Sequence, residues 1–98
     1  MNFKKNIPIN DKAINTYQML FICYMCPIIP LEVVVRDYLN HMSIEIAKRK
    51  AVRQELPFPV IRLGDKQKAS WAVNIEDLAK YIDKQTAIAQ MDFNAMNK

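Results

Sequence analysis

A chain of 98 residues makes one small domain, with no room for two independent cores. Half of its residues are apolar and a quarter charged, which excludes a disordered chain, and its one glycine excludes a Gly-rich phosphate loop. One histidine and two cysteines cannot by themselves close a four-ligand zinc site, so no metal or other cofactor is expected, and no enzyme.

The net charge is +4, from 14 Lys and Arg against 10 Asp and Glu. Residues 43–70 hold Lys48, Arg49, Lys50, Arg53, Arg62, Lys66 and Lys68 against Glu45, Glu55 and Asp65. Seven minus three is +4, so this stretch carries the whole excess and the remainder sums to zero. Localised positive charge is the footprint of a polyanion, with nucleic acid first on the list. The alternative is a solvated basic face with no partner.

Residues 1–10 read as a flexible arm, and 11–90 as the single domain. Within it, an N-terminal helix over 11–26 is expected, capped by Asp11 and stopped by Pro27. Ile14, Tyr17, Phe21 and Tyr24 fall at helical spacing, and neighbouring apolar residues widen that face. A helix so broadly apolar must be covered on several sides, which points to a second copy held through these four residues. The run from Met19 to Leu31 is thirteen residues, short of the roughly 20 that cross a bilayer. It also lacks a signal-peptide cleavage pattern, so a cytoplasmic location without membrane contact is expected. Cys23 and Cys26 stand as CxxC without a βαβ context and read as buried apolar thiols.

Ile28-Ile29 is a short extended piece, and Pro30 suits the first turn of a second helix through Leu31, Val34, Val35 and Tyr38. Asn40-His41-Met42 makes a turn. Ser43 then caps a third helix expected from Ile44 to about Glu55, roughly 18 Å long. Ile44, Ala47 and Ala51 form its inner side. Ile46, Arg49, Lys50 and Arg53 lie at i, i+3, i+4 and i+7 on the other. Two helices around a short turn, the second with a basic outer stripe, form a helix-turn-helix pattern.

Leu56-Pro57-Phe58-Pro59 stops the third helix. Two β-prone runs, 60–63 and 70–73, flank a turn that contains Gly64, which predicts a hairpin wing with Lys66, Gln67 and Lys68 at its tip. Asn74 caps a last helix, with Asp77 placed to reciprocate. Its stripe is Ile75, Leu78, Ala79, Ile82 and Ala89, with fraying expected after Gln90 and a mobile tail over 91–98. The expected fold is mainly α with a small β-hairpin wing, a winged helix-turn-helix with an extra N-terminal helix.

Ile28-Ile29-Pro30-Leu31-Glu32, Val35-Arg36-Asp37-Tyr38, Pro59-Val60-Ile61-Arg62-Leu63, Gln67-Lys68 and the stretch Asp77 to Asp83 occur in a set order and spacing. That set resembles the pyocin activator protein family (PrtN-like) over roughly residues 15–90, and more distantly the AlpA and excisionase group of small winged DNA binders. The resemblance implies a bacterial transcriptional activator acting on bacteriocin, phage-tail-like or prophage genes. The family pattern often carries glycine near the end of the second helix of the pair, where this chain has Gln54.

The residues then receive roles. Arg49 and Arg53 are expected to read base edges in promoter DNA, and Ile46 a thymine methyl. Ser43, Lys48, Lys50, Arg62, Lys66, Gln67 and Lys68 are expected on phosphates. A single module of this size buries about 600–1,000 Å² on DNA, which favours a homodimer or several copies on repeated sites. Two other readings are a protein-binding regulator whose N-terminal helix engages a repressor or RNA polymerase subunit, and an excisionase-like architectural binder. His41 lacks a nucleophile or paired carboxylate, so neither catalysis nor a small-molecule substrate is expected.

Overall fold

A computed structural model of the protein describes residues 14–64 and 70–97. The described elements are α1 (Thr16–Tyr24), β1 (Ile28–Pro30), α2 (Leu31–Tyr38), α3 (Ile44–Val52), β2 (Ile61–Leu63), β3 (Ser70–Asn74) and α4 (Ile75–Met96). Among the described residues no helix is long and apolar enough to cross a membrane.

α1 starts at a capping box. The Asn15 side chain accepts from the Gln18 backbone N–H at 2.8 Å, and Gln18 Oε1 accepts from the Asn15 N–H at 2.9 Å. Both orphan donors are satisfied reciprocally, so the start is set by Asn15 rather than by the expected Asp11, which lies outside the described residues. The helix also stops early. Met25 takes the left-handed conformation, φ 58°, and its N–H returns to the Phe21 carbonyl at 2.7 Å. Pro27 therefore follows the stop rather than making it, and its carbonyl accepts from the Ile75 N–H at 2.9 Å. The thiols are not buried as expected: Cys23 is exposed and Cys26 half-buried, its Sγ 3.3 Å from the Ile28 carbonyl.

The two-residue extended piece is a strand. β1 pairs antiparallel with β3, Ile29 opposite Val73, and β2 pairs with the other edge of β3, Arg62 opposite Trp71. The result is a three-stranded antiparallel sheet in the order β1-β3-β2. Gly64 leaves β2 at φ 91°, a conformation that a Cβ would penalise. Residues 65–69, which join β2 to β3, are outside the described residues.

α2 occupies the centre. Leu31, Val34 and Val35 are buried, and Val33 packs against the same cluster half-buried. Three consecutive valines cost helix propensity, but full burial of Val34 and Val35 contributes about 1.5–3 kcal/mol each, which outweighs it. Leu39 ends the helix inside the core, and its N–H reaches the Val35 carbonyl at 3.0 Å. Beyond α3, Leu56, Phe58 and Val60 alternate inward while Pro57 and Pro59 face out, an extended segment with one wetted side. The Phe58 ring meets Tyr81 of α4 edge-on, with centroids 5.4 Å apart.

Asn74 caps α4 by accepting from the Glu76 N–H at 2.8 Å. Ile75, Leu78 and Ala79 are buried. Instead of fraying after Gln90, the helix continues to Met96, and Asn97 caps it with its N–H on the Phe93 carbonyl. Among the described residues the fold is mainly helical, with four helices and one small sheet.

Candidate nucleic-acid interface

α2 and α3 pack as a helix-turn-helix-like pair. The five-residue link 39–43 closes on the Met42 N–H bonded to the Leu39 carbonyl, 3.1 Å. Ala47 and Ala51 are wholly buried on the inner side of α3. Their small side chains let the two backbones approach closely and fix which face of α3 looks outward. Ser43 Oγ accepts from the Ile46 N–H at 3.2 Å and sets the helix start.

The outward face carries the basic stripe. Ile46, Arg49, Lys50 and Arg53 line one shallow dip, joined by Glu55. Arg49, Arg53 and Ile46 are exposed, while Lys50 is half-buried. Arg53 has left the helix, which ends at Val52, three residues short of expectation. The cause is Gln54, which adopts φ 54°. It takes the left-handed conformation that glycine adopts most easily. Its amide compensates by bracketing Val60: Oε1 accepts from the Val60 N–H and Nε2 donates to the Val60 carbonyl, both at 3.5 Å. The exit of α3 is thereby tied to the chain entering β2.

Lys48 stands to one side of the dip, its Nζ 3.9 Å from Glu32 Oε2 on α2. Both groups are more than half exposed, so the pair contributes between nothing and about 1 kcal/mol. On the hairpin, the Arg62 guanidinium lies over the Trp71 ring, 5.9 Å from its centroid. Lys66, Gln67 and Lys68 lie outside the described residues.

Of the four residues expected at an interface between copies, Ile14, Tyr17 and Phe21 are exposed. Tyr24 differs from them. It is half-buried, and its hydroxyl donates to Asp37 Oδ2 at 2.6 Å, fastening the end of α1 to α2. Arg36 Nε donates to the other Asp37 oxygen at 2.8 Å. Hydrogen bonds from Arg36 and then Tyr24 hold the Asp37 carboxyl below the usual carboxylate range. Burial first, then the bond to Asp37, pushes the Tyr24 phenol up.

Sequence reasoning missed Glu55 and the Lys48–Glu32 pair, and it marked Gln54 only as a departure from the family pattern. Glu55 becomes part of the dip only because α3 stops at Val52, and no periodicity signals that. Among the described residues no three His, Cys, Asp or Glu side chains come together as a metal site.

No curated protein and no solved structure matches the chain. The family model described as "Pyocin activator protein PrtN" matches residues 16–89, from the first turn of α1 well into α4. That span takes in the helix pair, the sheet and the basic dip, and the family is one of regulatory activators rather than enzymes. The chain belongs to the pyocin activator protein PrtN family.

Proposed function

We propose that the protein activates transcription by reading double-stranded promoter DNA in the cytoplasm, with α3 in the major groove and the β2–β3 hairpin as a wing on the backbone. The observation that carries this reading is the dip on α3, where three cations converge around one exposed apolar side chain. Nine residues give a helix about 13.5 Å long, and its diameter of about 10–12 Å fits a major groove about 12 Å wide.

Arg49 and Arg53 read base edges, most favourably guanine O6 and N7, where a bidentate arginine contributes about 1–3 kcal/mol of discrimination. Ile46 contacts a thymine methyl. Glu55 repels phosphate from its rim of the dip and accepts from a cytosine amino group. Ser43, Lys48, Lys50, Arg62, Lys66, Gln67 and Lys68 take phosphates and set register. Lys48 gives up little to do so, because its exposed pairing with Glu32 is weak. The targets are bacteriocin, phage-tail-like or prophage genes, in keeping with the family name, and the activated complex includes RNA polymerase.

Binding to promoter and random duplexes across a salt series tests the reading. Neutralising about five phosphates gives a slope of log K on log salt near −4 to −5. Arg49→Ala and Arg53→Ala should each relax base preference and leave that slope nearly intact, whereas Lys50→Ala should flatten it by about one. The slope without promoter preference would make the protein an architectural binder. No binding at low salt would remove the DNA reading altogether.

A further inference from the structure

We propose that Val52 is a second thymine-methyl contact, on the other side of Arg49 from Ile46, so that α3 selects a guanine with a thymine within reach on each side. The proposal rests on the major-groove reading above and sharpens it. Val52 is the last residue of α3 and lies outside the dip lined by Ile46, Arg49, Lys50, Arg53 and Glu55. It stands 68% exposed, so the core makes no use of its side chain. Valine is also a poor helix former, because its branched Cβ loses rotamer freedom in a helix. Neither packing nor propensity explains this residue here.

Its place on the helix does. At about 100° per residue, Ala47 and Ala51 lie about 160° to either side of Arg49. Both alanines are wholly buried, so Arg49 points directly away from the core. Ile46, three residues before, and Val52, three residues after, fall about 60° to its two sides. Lys48 and Lys50, its neighbours in sequence, fall about 100° to the two sides. A helix seated in a major groove has base edges in front of it and a phosphate strand along each wall. The order across this face suits that setting: a lysine at each margin, an apolar side chain inside each lysine, and an arginine at the centre. Glu45 shares the face one turn earlier, where an acid suits the helix dipole. The C5-methyl of thymine is the apolar group that the groove displays, so it is the ligand that a lone exposed valine fits. Six residues separate Ile46 and Val52 by about 9 Å along the axis, or about two to three base-pair steps.

Duplexes enriched from a random-sequence pool on the wild-type chain provide the test. In the tightest of them each thymine is replaced in turn by deoxyuridine, which lacks only the C5-methyl. Two sensitive positions are expected, about two to three steps apart with a guanine between them. Each should lose about fourfold in affinity, the equivalent of one buried methyl. Val52→Ala should erase the loss at one position and keep it at the other, and Ile46→Ala should do the reverse. Neither variant should alter the slope of log K on log salt, because neither side chain meets a phosphate. Alanine is the better helix former, so Val52→Ala keeps α3 intact.

The failures are separable. A sequence preference whose deoxyuridine profile is the same in wild type and Val52→Ala would overturn this proposal and leave the major-groove reading standing. That same profile combined with weaker polymerase-dependent activation would assign Val52 to a protein contact, and the proposal would fall. A wild-type chain with no sequence preference would overturn both.

Discussion

α1 and α2 are helices of nearly equal length whose sequences suggest the opposite of what they do. α1 has no charged residue, yet only Leu20 is buried. α2 carries Glu32, Arg36 and Asp37, yet it forms the centre of the core through Leu31, Val34 and Val35. Sorting of apolar residues onto one face, rather than apolarity itself, decides what a helix buries within its own chain. An uncharged helix without a sorted face is held less by its own domain and leaves apolar surface for something else.

The largest expected effect tests that contrast directly. Leu31→Ala removes a wholly buried side chain from the core, at an expected cost of about 2–5 kcal/mol. Phe21→Ala, at an exposed position on the more apolar helix, should cost under about 1 kcal/mol. Urea unfolding of both variants gives the numbers. A loss at Phe21 as large as that at Leu31 would mean that α1 is packed within its own chain.

The next effect concerns the bond that joins the two helices. Tyr24→Phe deletes the donor to Asp37 and should lower Tm by a few degrees near neutral pH. Asp37 is depressed in the fold, so its contribution is present above the unfolded carboxylate value and lost as pH falls through the folded one. Tyr24 is raised, so its contribution is complete below its unfolded value near ~10 and lost only at still higher pH. The Tm gap between wild type and Tyr24→Phe should therefore stay constant across neutral pH and close in acid. A gap that persisted after Asp37 had protonated would assign the loss to packing instead.

The same physics explains what was legible in the sequence. The outer stripe of α3 came from spacing alone, because Ala47 and Ala51 leave only one face that can turn inward. Ser43 and Asn74 were readable as caps, since each precedes a periodic run and offers a side-chain acceptor. β1 was not readable as a strand, because three residues carry no period and β3 lies more than forty residues away. The length of α1 was misjudged for a related reason. Asp11 and Asn15 both precede apolar residues, and only the reciprocal bond with Gln18 distinguishes the true cap. The end of α3 was hidden because the left-handed residue that makes it is a glutamine.

α1 and α3 share that last device, and here the expected effects are smallest. Met25 and Gln54 are both non-glycine residues at positive φ, each carrying a cost of about 1–2 kcal/mol for its Cβ. Met25 is 73% exposed, so Met25→Gly relieves the strain and loses almost no packing. After the entropy of glycine in the unfolded chain is subtracted, a gain of about 0.5–1 kcal/mol is expected. Gln54→Gly relieves the same strain but gives up both bonds to Val60, and the loss offsets the relief, so its net change should be near zero. Gln54→Ala keeps the Cβ and loses the bonds, and it should destabilise by about 1 kcal/mol. Thermal unfolding of the three variants separates backbone relief from side-chain bonding. If Gln54→Gly gained as much as Met25→Gly, the amide would contribute nothing to stability, and glutamine at this position would owe its place to the dip beside it.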